Sequence, residues 1–209
     1  MARYRLGAGN IRKSLDALAQ RDRDVRRALE IVGYPEPRRR PEGFETLLRV
    51  IVGQQLSVSA AAAIQGRLEK AMKNELSAQR LLRLRETTLR KVGFSRPKIR
   101  YARCLARALQ SGELDLQELH ELSDELAIER IRSVPGLGRW SAQIYLMFSL
   151  GRPDIWPEGD VGAMRGLQKL KGFEEKLTSA QAGALVEPLA PHRSAVALLA
   201  WKYANSTAL

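Results

Sequence analysis

Residues 123–165 read SDELAIERIRSVPGLGRWSAQIYLMFSLGRPDIWPEGDVGAMR, and the rest of the chain is arranged around this stretch. A helical pattern begins at Ser123, with Asp124 and Glu125 placed to favour its dipole, and ends at Ser133. The turn VPGLG follows at 134–138, and a second helix starts near Arg139. That helix holds Trp140, Ile144, Tyr145, Leu146, Met147, Phe148 and Leu150, apolar nearly all round, as a centrally buried helix is. Beyond a loop punctuated by Pro and Gly, one acid, Asp160, stands at the head of another helical run.

The turn has a physical reading. Pro135 cannot continue the first helix, while Gly136 and Gly138 permit positive φ and close backbone approach. The amides around Gly136, Gly138 and Arg139 would then project from a helix N-terminus, a site suited to an anion such as phosphate. Helix, glycine-rich hairpin and helix, over about 123–150, is the form of the helix-hairpin-helix motif, which grips one DNA strand by its backbone. The plainer alternative is a helix–helix turn that carries two glycines. Asp160 likewise has a plain role as an N-cap, and a cap and a catalytic acid are compatible.

From Pro135 to Asp160 the order of features resembles the helix-hairpin-helix DNA glycosylase superfamily, which ends this unit in a catalytic aspartate. Within it, GRW at 138–140 and WPEGDVG at 156–162 look most like the DNA-3-methyladenine glycosylase II type. KVGFSRPKIRYARCLARAL, at 91–109, also resembles a stretch of that family. The resemblance covers about residues 40–205. It implies an all-α, two-lobed helical fold, one domain over 1–209, without the N-terminal β domain of larger members.

The resemblance also implies roles. Asp160 would be catalytic. Pro135, Gly136, Leu137, Gly138, Arg139 and Ser141 would contact DNA, with Gln54, Gln55 and Ser57 at a turn that enters the minor groove. Gln55 matches the position that fills the gap left by an extruded base, where some members carry leucine. Trp140 and Trp201 match positions around the base pocket, and Tyr145, Phe44 and Arg193 are further candidates for it. Arg193 and Ser194 are also candidates to brace Asp160. Carbonyls of Val134 and Gly136 are candidate ligands of a structural Na or K ion, and no other cofactor is implied.

Cleavage of an N-glycosidic bond builds positive charge on the sugar, which a desolvated carboxylate stabilises. One carboxylate suffices when the leaving base is already cationic, as 3-methyladenine and 7-methylguanine are in nucleosides. Glu158 is the rival acid but falls off the family pattern. Members that also nick the strand carry a lysine where Trp140 stands, so hydrolysis without lyase activity is implied. Duplex DNA with alkylated bases is the implied partner, and a monomer the family default. Ethenoadenine and hypoxanthine stay open as substrates. The alternatives are a non-enzymatic helix-hairpin-helix DNA-binding module and a glycosylase for oxidised or mismatched bases.

Bulk properties agree with a polyanionic partner. The 209 residues carry 35 Lys and Arg against 23 Asp and Glu, a net charge of +12, and such a balance attracts nucleic acid. A basic surface kept for solubility is the alternative. The single Cys104 excludes an intrachain disulfide and a cysteine-based zinc or iron–sulfur site. No run resembles a signal peptide or reaches the ~18–20 apolar residues of a membrane span, so the chain reads as cytoplasmic, or nuclear in a eukaryote.

Elsewhere the periodicity predicts helices over 10–21 and 22–33, one from Phe44 to Gly53, and another capped by Ser57. Two or three basic helices follow over 77–111, where Lys98 and Arg100 read as solvated. Thr178 with Gln181 forms a capping box, and a last apolar run starts at His192. Arg38, Arg39 and Arg40 read as a solvated loop, with a phosphate contact as the alternative. About ten helices and no strand are expected.

Overall fold

The structure, a computed structural model, describes residues 5–206. Among the described residues it is helical throughout, with no strand. The helices are α1 (Ala8–Arg21), α2 (Arg23–Val32), α3 (Phe44–Gly53), α4 (Val58–Ala71), α5 (Ala78–Arg83), α6 (Glu86–Val92), α7 (Arg96–Ser111), α8 (Asp124–Arg132), α9 (Arg139–Phe148), α10 (Val161–Lys171), α11 (Ser179–Val186) and α12 (Arg193–Ala204). The described residues hold twelve α-helices against about ten expected, and 77–111 resolves into three, two of them only 6 and 7 residues long. None is long and apolar enough to cross a membrane.

The predicted caps at Ser57 and Thr178 hold because each is made within one helical turn, and Ser123 adds a third that the sequence marks only as a helix start. The Ser57 side chain accepts from the Ala60 amide, Ser123 from Leu126, and Thr178 forms the reciprocal box with Gln181.

The chain forms two compact units. One joins the segment before Arg39 to that after Leu146, and the other runs from Arg40 to Tyr145. In the first, Ile11, Leu15 and Leu18 of α1 and Val25 of α2 are buried, as is nearly all of α12. Helices α10 and α12 meet backbone to backbone: a Cβ on Gly166 would lie 1.9 Å from the carbonyl oxygen of Ala200. The end of α10 is pinned to the start of α2, where Lys171 Nζ donates to Asp22 Oδ2 at 2.5 Å. Burial pushes the Asp22 carboxyl up, but the bonds from Lys171 and from the Val25 and Asp24 amides outweigh it and hold the group below its ordinary range.

The second unit has its own core, centred on Leu48, Leu68, Met72, Leu81, Leu89 and Ala102, with Phe44 packed against it. Lys98, expected in solvent, instead donates from Nζ to the Val52 carbonyl at 2.7 Å, closing the last turn of α3. Burial holds its ammonium below the usual lysine range.

Two glycine substitutions separate packing from helix propensity. Gly166→Ala is expected to cost about 2 kcal/mol or more, because the backbone of α12 must move. Gly183→Ala in α11, where an added Cβ meets nothing within 4 Å, should gain up to about 1 kcal/mol. Urea unfolding of both variants checks the pair of signs.

Candidate active site and hairpin

Asp160 is delivered by the loop 151–159 and caps α10. Its Oδ1 accepts from the Ala163 amide at 2.7 Å and from the Trp201 indole Nε1–H at 2.8 Å. The cap was legible from sequence and the indole partner was not, since Trp201 is 41 residues away on α12. Gly162 makes room for this contact: a Cβ there would sit 3.1 Å from Trp201 Cδ1 and 3.3 Å from Asp160 Oδ1. Phe148 packs on the indole with ring centres 5.7 Å apart, and the Arg38 guanidinium lies over it, 5.2 Å from the ring centre. Glu158, the rival acid, is exposed in the loop.

The loop that carries Asp160 is itself clasped by the start of α12. The Ser194 hydroxyl donates to the Arg152 carbonyl at 2.7 Å and accepts from the Ile155 amide at 2.9 Å, and its backbone N–H donates to Pro153 O at 3.1 Å. Arg193 donates to Asp154 from Nε and Nη2, both at 2.8 Å. Arg193 is the candidate for the base pocket or for bracing Asp160. It binds the loop, six residues before the acid. Burial pushes the Asp154 carboxyl up, but the Arg193 side-chain and backbone bonds outweigh it and keep it below its ordinary range.

The hairpin 134–138 lies in the second unit. Gly136 has φ +92°, and a Cβ on it would overlap the Tyr101 ring, 2.1 Å from Cγ. Glycine is therefore required twice there, by conformation and by space. Gly138, expected to share the positive φ, does not. It is exposed, with nothing within 4 Å of an added Cβ, and its carbonyl accepts from the Ala142 amide in the first turn of α9. An open glycine at a helix N-terminus is what a close-approaching anion needs.

The candidate DNA-contacting residues around the hairpin differ in exposure and partners. Leu137 is 3 % exposed and Ser141 2 %, so both side chains pack inward. Pro135 is exposed. The Arg139 side chain forms a two-point ion pair with Glu125, at 2.6 and 2.8 Å. The Arg139 bond holds the Glu125 carboxyl below its usual range. Gln54 does not project from its turn: it is half-buried and donates from Nε2 to the Gly136 carbonyl at 2.8 Å. Gln55 is exposed, with φ +56°, a left-handed conformation rare for a side chain of this kind. Ser57 serves as the cap of α4.

Trp140 is half-buried and borders a cleft of about 760 Å3 that also takes in Gln54, Lys98, Tyr101, Arg132 and the hairpin. Tyr145 is fully buried, and its hydroxyl oxygen accepts from the Gly43 amide at 3.0 Å. Burial pushes its phenol up to about 12. Both pocket candidates pack within the second unit, Tyr145 fully buried and Phe44 partly buried against its core. The carbonyls expected to hold a monovalent cation already accept protons, Val134 O from the Leu137 amide and Gly136 O from Gln54. A carbonyl oxygen has two lone pairs, so these bonds leave room for an ion on either one, and no step depends on it. Among the described residues no His, Cys, Asp and Glu cluster could hold a metal.

Sequence reasoning missed Tyr101, Lys98 and Arg38. Lys98 and Tyr101 are three apart on α7, a spacing that puts both on one helix face. Arg38 carried no signal beyond its charge.

Residues 48–191 match the family described as HhH-GPD superfamily base excision DNA repair protein. The chain is 32% identical over 187 residues to the DNA-3-methyladenine glycosylase 1 of Schizosaccharomyces pombe, covering 87% of this chain and 82% of the relative. It is similar to a solved 3-methyladenine DNA glycosylase of the same yeast in complex with abasic DNA, with TM-score 0.84 and 31% identity over 91% of this chain and 95% of that one. A second solved structure, a DNA-3-methyladenine glycosidase from Bacillus halodurans, gives TM-score 0.83 and 33% identity over 98% and 94%.

The Arg193–Asp154 pair yields a pH test. A carboxyl held low stabilises the fold above its unfolded value of about 3.9, and that stabilisation is lost as pH falls through the folded value. Arg193→Met should therefore cost roughly 1 kcal/mol at pH 7, allowing for solvent screening of a pair this exposed. Urea midpoints of variant and wild type should converge on going from pH 7 to pH 3.

Proposed function

The chain belongs to the HhH-GPD superfamily of base excision DNA repair proteins, and from that premise we propose that it is a DNA glycosylase hydrolysing the N-glycosidic bond of alkylated purines in duplex DNA. 3-Methyladenine is the first substrate, and 7-methylguanine follows from the same chemistry. The observation that carries the reading is the placement of Asp160, its Oδ1 tied to the Ala163 amide and the Trp201 indole N–H. Two donors on one oxygen fix the orientation of the carboxylate.

The enzyme flips the damaged nucleotide out of the stack, because the bond to be cut is out of reach within it. As the base departs, positive charge grows on the sugar, and the Asp160 carboxylate stabilises it and orients the attacking water. A methylated purine is already cationic and leaves without a separate general acid. Electron-rich indole faces suit such a base, which gives Trp201 a binding role beside its bond to Asp160. The hairpin supplies backbone amides to a DNA phosphate, with the net charge of +12 adding long-range attraction. Exposed Gln55 takes the minor-groove position.

Trp140 stands where a Schiff-base lysine would be needed, so the product is an abasic site in an intact strand. Water and a carboxylate complete the reaction with no cofactor. The protein acts as a monomer, in the compartment that holds the DNA.

Asp160→Asn is expected to lower release of 3-methyladenine from a methylated duplex by roughly 100-fold or more, with duplex affinity kept. Wild type should leave no strand break before alkali. Release by the variant at the wild-type rate would overturn the assignment of Asp160. Gly136→Ala should instead weaken duplex binding by about tenfold, the cost of an alanine forced into a left-handed backbone beside Tyr101, read by fluorescence anisotropy.

A further inference from the structure

Arg38 is on a loop after α2, in a run of three arginines with no assigned role. Its side chain is exposed, yet the guanidinium is not left in open water. It lies over the Trp201 ring, 5.2 Å from the centre, and Trp201 is the residue whose Nε1–H holds Asp160. Four groups of the same unit surround this indole. Phe148 is 3 % exposed, Asp160 and Gly162 are half-buried, and Arg38 is exposed. Of the four, Arg38 is the one whose contact opens without disturbing a core.

A guanidinium is a planar, delocalised, weakly hydrated cation, and it stacks on an aromatic face as a methylated purine does. We propose that Arg38 is a resident occupant of the Trp201 face, which an extruded base must displace before it can stack there, and that it thereby sets the affinity of the base site. The inference rests on the glycosylase reading above.

The thermodynamic consequence is specific. A site whose open form is only a fraction of the population binds every ligand more weakly by that same fraction. The contact broken is the same whichever base enters, so Arg38 lowers the capture of all bases by one common factor. Weakly bound normal bases are pushed further below useful occupancy, while tightly bound damaged bases still compete.

The test compares wild type, Arg38→Ala and Arg38→Lys by single-turnover base release. One duplex carries cationic 7-methylguanine and another carries neutral hypoxanthine. Arg38→Ala is expected to raise kcat/KM by about threefold to tenfold on both, with Arg38→Lys between it and wild type because an ammonium stacks less well. Without DNA, the free cation 3,9-dimethyladeninium, titrated by calorimetry, should bind Arg38→Ala more tightly by a similar factor. A residue that merely supported the fold would lower both readouts. Unchanged or reduced kcat/KM in Arg38→Ala, with wild type active, overturns the role of Arg38 alone. A gain confined to the cationic lesion also overturns it, since that is charge repulsion rather than displacement. Absence of base release by wild type from every duplex overturns the glycosylase reading, and this inference with it.

Discussion

The contact between α10 and α12 at Gly166 and Ala200 is the constraint on which the proposed chemistry depends. At this point no side chain separates the two helices, so their backbones meet directly. That closeness sets the register between them, and the register decides that the start of α10 presents Asp160 to the indole N–H of Trp201. Gly162, one turn earlier on α10, repeats the economy of space by leaving room for the indole edge. Two glycines on one helix thus do different work. The first allows the helices to touch, and the second allows the acid and the tryptophan to touch.

A similar logic holds the loop before Asp160. Nine residues with Pro and Gly would wander if left in water, but Ser194 and Arg193 take up the polar groups of 152–155. A buried hydroxyl that both donates and accepts leaves no orphaned polar atom of its own, and a forked guanidinium on a carboxylate fixes direction as well as distance. The acid is therefore oriented from both sides, by its own helix and by the neighbouring one.

The hairpin follows a different rule, since the task proposed for it is to leave backbone amides available. Gly136 turns the chain and sits flat on Tyr101, and its carbonyl is taken by the Gln54 amide. The polar groups on the inner side of the turn are thereby satisfied from within the protein. Gly138 stays open on the outer side. Gln54 and Gln55 are neighbours in sequence with opposite tasks, one bracing the hairpin and the other exposed at the turn.

Features that close within one helical turn were legible in the amino-acid sequence by itself. The helix from Phe44 to Gly53, the caps at Ser57 and Asp160, and the box of Thr178 with Gln181 all follow from residues three or four apart, and so does the all-helical class. The family was also readable, because an ordered run from Pro135 to Asp160 carries the resemblance. Only the tertiary structure decided which side chains meet. Trp201 reaches Asp160 across 41 residues, Arg193 reaches Asp154 across 39, and Gln54 reaches Gly136 across 82. No local spacing encodes such pairs. A charged or amide side chain looks solvated in sequence, and it becomes a brace only when folding brings a carbonyl, a carboxylate or an aromatic face within about 3–5 Å of it.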